Sequence, residues 1–279
     1  MIVKTLEQVQ KYLPSFNLKV KVDRISDFLD RAQLWLTTCI MGQDIETTLE
    51  ADIPENTTDT HEKLRTLASR VICELAYETM IGEMDLQLSE AGFVVQNNQQ
   101  MSPASQQRTD RLVQTLRSRT CTDCDNLVTY LMKTPSYNWT NTEQFTYLTD
   151  AFIPTLQVMR QYTGSYQITR WQEFYELVPK MVEALRDPVA SYISTEEVDA
   201  LLTAYRSNTL NENEKKALRW IRMATMAQVI GYGNFEHFAI EARQWMLKHE
   251  SDFPAFVNSD RYQLPSPFNP GEGTVANFL

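Results

Sequence analysis

Apolar residues recur along most of this chain at intervals of three and four. From Leu64 they fall at Leu64, Leu67, Ala68, Val71, Ile72, Leu75 and Ala76, one stripe of a 3.6-residue period, which predicts a helix with one buried face. Leu112, Val113, Leu116, Leu127, Val128 and Leu131 carry a second stripe. It is opened by Ser102-Pro103, because serine caps a helix and proline fits its first turn. Between the stripes the period changes. Ala91-Gly92-Phe93-Val94-Val95-Gln96-Asn97-Asn98 clusters β-branched and aromatic residues before an Asn-Asn turn, the pattern of a short β-ribbon insert near residues 91–99. In such a ribbon Phe93 and Val95 face one way and Val94 the other. Two-stranded ribbons are marginal in water, so Gly92, Phe93, Val94 and Val95 are candidate contacts with another subunit.

The remaining pattern is also helical. Residues 1–22 contain Pro14 and read as a short helix followed by an irregular piece. Ile25, Phe28, Leu29, Ala32, Trp35, Leu36, Cys39 and Ile40 then share a face, with Gly42 as its C-terminal stop. Residues 43–62 hold seven acids and no Lys or Arg, with Pro54 among them. They lack the D-x-D-x-D-G spacing of a calcium loop and read as a solvated acidic connection. Pro135 and Tyr137-Asn138-Trp139 break the pattern, and Thr140-Asn141-Thr142-Glu143 has capping-box form. Phe145, Leu148, Phe152, Leu156 and Met159 follow, with a break expected near Ile153 because Pro154 lacks an amide donor. Thr169-Arg170-Trp171-Gln172 opens a helix packed by Trp171, Phe174, Val178 and Met181 and punctuated by Pro179 and Pro188. Helices are expected after Ser194 and after Asn211, and a last one follows the Gly231-Tyr232-Gly233 turn.

Beyond Glu250 the character changes. Pro254, Pro265, Pro267, Pro270, Gly271 and Gly273 exclude helix, yet Phe253, Phe256, Tyr262, Leu264, Phe268, Phe278 and Leu279 are too apolar for a free tail. The pattern predicts an extended C-terminal arm lying over an adjacent subunit, the alternative being that it wraps its own helical domain. The expected organisation is residues 1–60 as N-terminal helices and acidic connection, 61–250 as a helical core domain with the ribbon insert, and 251–279 as the arm.

With 279 residues, 43% of them apolar, the chain can bury a substantial core. Only eight glycines and few alternating stretches argue against a sandwich, barrel or βαβ fold, so the expected class is mainly α. Cys39, Cys73, Cys121 and Cys124 lie in helical patterns, and the N-terminus lacks the apolar core of a secretory signal. Together these point to a reducing cytoplasm with free thiols. No run approaches the roughly 20 apolar residues of a membrane span, so a soluble protein is expected. A formal charge of −10 repels phosphate backbones unless charge is strongly segregated, and no basic block stands out.

Candidate chemistry is sparse. Cys121-Thr122-Asp123-Cys124 has C-x-x-C spacing but lies within a helical run, with no second pair to complete a zinc site, and packing explains it. His61, His237 and His249 show no metal-ligand spacing, and Gly231-Tyr232-Gly233 lacks the third glycine of a dinucleotide turn. Carboxylate pairs such as Glu173 with Glu176, or Glu196 with Glu197, could serve as acid and base of a hydrolase, but in an acidic helical chain they read as solvated faces. Aromatic residues from Tyr137 to Tyr175 could stack sugars or bases, although helical core packing explains their spacing. The expectation is a non-enzymatic protein with no catalytic, cofactor-binding or metal-ligating residues.

One resemblance adds to this. Leu86-Gln87-Leu88, then Ser89-Glu90-Ala91-Gly92-Phe93-Val94-Val95, then Pro103-Ala104-Ser105 opening the next helix resembles an uncharacterised family of helical proteins encoded by tailed bacteriophages and prophages. Leu131, the Tyr137 to Trp139 cluster, Ile153-Pro154-Thr155, Tyr166-Gln167-Ile168 and Val178-Pro179-Lys180-Met181 continue it, over roughly residues 61–205. The resemblance implies a virion structural protein of the neck region: a head-to-tail connector forming a homo-oligomeric ring. Its partners would be the portal protein and other neck or tail proteins, with nucleic acid at most passing through a central channel. It would be assembled in the host cytoplasm and carried in the virion. The rival reading is a cytoplasmic helical enzyme or regulator whose site leaves no recognisable motif.

Overall fold

A computed structural model describes residues 1–13, 23–51, 59–84, 87–89, 92–94, 106–164, 167–231 and 233–263. The chain is mainly α and divides into two compact units. The first comprises Met1–Leu148, Pro154–Arg160 and Gln167–Leu177; the second comprises Thr149–Ile153, Gln161–Tyr166 and Val178–Leu279. The N-terminal helices pack onto the long helix that follows them, and Phe253 and Phe256 join the second unit's core.

In the first unit, α1 (Leu6–Tyr12) is opened by a capping box between Thr5 and Gln8. α2 (Asp23–Leu36) widens into a π-helical turn at Thr37–Met41 and stops at Gly42, whose φ of +84° explains a glycine there. The exposed carbonyls of that turn are taken up by side chains. Trp139, fully buried, donates its Nε1–H to Ile40 O at 2.6 Å, and Gln144 donates to Thr38 O at 3.1 Å. α3 (Gln43–Glu50) corrects the expectation of a solvated connection over 43–62: its Ile45 and Leu49 are buried, while Glu46 and Glu50 accept hydrogen bonds from Gln33. Glu50 also pairs with the N-terminal ammonium at 2.6 Å, which holds its carboxyl below the usual range. Residues 52–58 of that segment lie outside the described residues.

α4 (Asp59–Met84) carries the first stripe, but the burial is wider than one face. Every residue of 71–76 is buried. The reason is packing from several sides, since α1, α2 and α5 (Gln106–Lys133) all lie against this helix. Two three-residue strands, β1 (Gln87–Ser89) and β2 (Gly92–Val94), pair antiparallel with Leu88 opposite Phe93. They are not the ribbon expected over 91–99, because the pairing begins upstream of it; Val95 and its successors to 105 lie outside the described residues. After short 3-10 turns at Pro135–Tyr137 and Trp139–Asn141, α6 (Glu143–Thr149) is capped by Thr142 Oγ1, which accepts from Phe145 N at 3.2 Å. The helix then breaks before α7 (Leu156–Arg160), as the proline pattern implies.

α8 (Trp171–Ala184) begins in the first unit and passes into the second at Val178. Pro179 lies inside it without ending it, and the helix widens into a π turn at Leu185–Val189 that absorbs Pro188. The second unit continues with α9 (Ala190–Ile193), α10 (Thr195–Arg206), α11 (Glu212–Ile230), α12 (Phe235–Lys248) and α13 (Pro254–Val257). Asn211 and Glu214 form a complete capping box at the helix start expected there, Ser194 caps α10 and Asn234 caps α12, whereas the box expected from Thr140 to Glu143 is replaced by Thr142 as the cap of α6. Phe152 sits in this unit with φ +60°, a conformation disfavoured for a residue with a Cβ. Its ring is fully buried in an edge contact with Tyr205, and its carbonyl accepts from Arg222 Nε at 2.8 Å, so tertiary contacts hold it there.

The expected arm is corrected in its first part. Phe253 and Phe256 are both fully buried in the core of their own unit, among Val198, Leu201, Leu218 and Ala242, and Pro254 starts a helical turn instead of excluding one. Proline at the first helical position lacks a donor that the turn does not need. Tyr262 packs on the same core, 5.6 Å from Phe256 in an edge contact, and donates to Glu250 at 2.6 Å. Leu264, Phe268, Phe278 and Leu279 lie outside the described residues.

Candidate functional site

Three buried carboxylates stand at structural junctions, and each does mechanical work. Asp125 on α5 is fully engaged: Oδ1 accepts from Leu156 N and from Trp171 Nε1, both at 2.9 Å, and Oδ2 accepts from Gln157 N at 2.7 Å. It therefore caps α7 and fixes the start of α8 with one side chain. Burial pushes its carboxyl up while the three donors oppose the shift. Glu74 on α4 is fully buried with Oε1 2.7 Å from Arg119 Nη2 of α5. Burial raises it to about 7, against the opposing pull of Arg119.

Glu197 in the first turn of α10 is the third. Its Oε2 accepts from Phe256 N at 2.8 Å, tying the 254–257 turn to α10, and burial lifts it to about 7. Residues paired by sequence as a possible acid and base thus have other duties. Glu197 is a buried clamp, and Glu173 reaches back to accept from Thr169 N and Arg170 N, capping α8.

Because Glu197 titrates above its unfolded value, it contributes stability in full below about pH 4.5, and that contribution is lost as pH rises towards 7. A shift of this size is worth on the order of 3 kcal/mol. Glu197→Gln keeps an oxygen for Phe256 N and removes the buried charge. Its thermal unfolding is expected to be higher than wild type at pH 8 by roughly 1–3 kcal/mol and to lose part of the pH dependence between 4.5 and 7. Calorimetry of both proteins across that range checks it; a variant that melts lower at pH 8 contradicts the assignment.

The thiols offer no reactive group. All four cysteines are free and buried, burial raises Cys121 to about 11 and Cys73 to about 12, and Cys121 Sγ lies 3.6 Å from Thr169 O. Among the described residues no group of three or more His, Cys, Asp or Glu could hold a metal ion, and no helix is long and apolar enough to cross a membrane.

The feature that sequence reasoning missed is a basic groove on the first unit. Two hollows of about 570 and 590 Å³ share Lys11, Tyr12 and Thr66 and so form one continuous depression along α1, α4 and α5. Lys4, Lys11, Arg65, Arg70 and Arg119 line it, against the carboxylates Glu62 and Asp123. This corrects the expectation of no basic block: the cations come from three separate stretches, and packing of the helices gathers them. A signal was present, since residues 1–24 carry Lys4, Lys11, Lys19, Lys21 and Arg24 against only Glu7 and Asp23. Arg119 is fixed in place, donating to Tyr12 O at 3.1 Å while paired with Glu74.

Of the residues expected to make contacts, Gly92, Phe93 and Val94 lie in β2, and Phe253, Phe256 and Tyr262 belong to the second unit's own core. The structure does not bring these two groups together in one unit.

Residues 26–149, the span from α2 to α6, match a protein family described only as a family of unknown function, DUF6712. Neither a curated protein nor a solved structure matches the chain.

Proposed function

We propose that this chain is a virion structural protein of a tailed phage, a head-to-tail connector that forms a ring between portal and tail and acts by assembly instead of catalysis. The resemblance over residues 61–205 supports the role. The observation that carries it is the way the first unit spends its chemistry. Asp125, Glu74 and Trp139, three deeply buried polar groups, each hold one helix or turn against another, and the hollows on the surface are open grooves of mixed polar and apolar lining. Small-molecule sites are typically enclosed and mostly apolar, whereas a rigid helical frame with open grooves of mixed lining suits subunit contacts.

On this reading the stretch from Gly92 to Val95 and the residues Leu264, Phe268, Phe278 and Leu279 are the contact elements, with portal and tail proteins as partners and the virion as location. Phe253 and Phe256 are excluded from that role by their burial. Light scattering and electron microscopy of the purified protein, alone and with a portal protein, test the proposal, with rings or portal-bound layers expected. Phe93→Asp combined with Val95→Asp is expected to abolish assembly with helix content unchanged. A protein that stays monomeric at high concentration and never adds to portal particles would sink the proposal.

A further inference from the structure

We infer that the basic groove along α1, α4 and α5 is a binding site for the phosphodiester backbone of a nucleic-acid strand. Five cations line it against Glu62 and Asp123, with Arg119 paired to Glu74, in a chain whose formal charge is −10, so the groove remains net positive against the average of the molecule. Such segregation is what an acidic protein needs to hold a polyanion, because local potential in a groove can outweigh net charge at short range.

The cations are strung along the groove. Lys4 and Arg65 line one hollow, Arg70 and Arg119 the other, and Lys11 is shared by both. Cations spread over two adjoining hollows suit an extended polyanion better than one small anion. Between the cations stand hydroxyl groups, Thr66 and Ser69 on α4 and Ser118 and Thr122 on α5. Arginine, lysine and hydroxyl side chains are the usual donors to phosphate oxygens. Tyr12 is the one aromatic side chain among the lining residues, so base stacking contributes little and binding is expected to be independent of sequence. Arg119 is held by Glu74 and the Tyr12 carbonyl, so its charge is already paired and the four other cations carry most of the attraction.

The site is tested on the full chain by fluorescence anisotropy with a labelled 20-nucleotide single strand and with a duplex of the same length, the two arms separating the sources of the same backbone chemistry. Three to five phosphate contacts predict a log–log salt slope of about −2 to −3.5 on the single strand. Lys11 and Arg70 are exposed, so their reversal leaves the core intact. The Lys11→Glu/Arg70→Glu double variant is expected to bind at least about tenfold more weakly and to flatten the slope by about 1.4. Lys180→Glu, an exposed lysine of the second unit, is expected to bind as wild type, and circular dichroism of all variants should be unchanged. The inference is overturned if neither oligonucleotide binds at low salt, if the double variant and Lys180→Glu behave alike, or if a polyglutamate peptide binds as tightly as the single strand. The last result would assign the groove to an acidic protein segment.

Discussion

A chain ended after Glu250 is expected to lose the fold of its second unit. The truncation removes Phe253 and Phe256, both fully buried, and deleting a buried phenylalanine side chain costs about 3–5 kcal/mol each once the cavity is counted. It also removes the Asp252 carboxylate that accepts from Asn213 Nδ2 at 2.8 Å and from Asn211 Nδ2 at 3.3 Å, beside the capping box of α11. Glu197 would lose the Phe256 amide and stay buried without a donor. The combined loss, about 6–10 kcal/mol from the phenylalanines alone, is comparable with the whole stability of an ordinary domain. The unit should appear in calorimetry as a missing or strongly lowered transition, with loss of part of the helical signal. A chain ended after Gln263 separates this effect from anything residues 264–279 do, and it should melt as the full chain does. Normal melting of the chain ended at Glu250 would show that 251–263 is an appendage after all.

Asp125→Ala is expected to be the most damaging single substitution in the first unit. It strips acceptors from three buried donors at once: the amides of Leu156 and Gln157 and the indole N–H of Trp171. Each unpaired buried donor costs about 1–3 kcal/mol, so a loss of about 4 kcal/mol is a moderate expectation. For a unit of this size that corresponds to roughly 8–16 °C of melting temperature. Asp125→Asn should recover only part, because one oxygen remains to accept while the new NH₂ group faces an amide donor. Denaturant unfolding followed by tryptophan fluorescence reads the effect directly, since Trp171 is one of the partners. A loss below about 1 kcal/mol in the alanine variant would mean that the three donors find other acceptors.

The amino-acid sequence by itself determined the class and the punctuation of this protein. Helical periodicity marked α4, α5, α8, α11 and α12; Gly42, Ser194 and Asn211 marked helix ends; and Pro154 marked the break between α6 and α7. These are local properties, set by backbone sterics and by which side chain can satisfy a helix's unpaired amides, so they are legible along the chain. Tertiary structure decided the rest. Phe253 and Phe256 read as part of an arm over an adjacent subunit because proline and aromatic content says only that such a segment must be covered, and whether a chain covers it with its own helices depends on long-range packing. Residues 71–76 carry one apolar stripe yet are buried all round, since three helices pack against α4. Glu74, Asp125 and Glu197 look like ordinary acids of a polar face until the donor each one meets, 31 to 59 residues away for the latter two, is brought beside it. The basic groove is of the same kind. Its charges come from residues 4–11, 65–70 and 119, and only the packing of α1 and α5 against α4 sums them into one field.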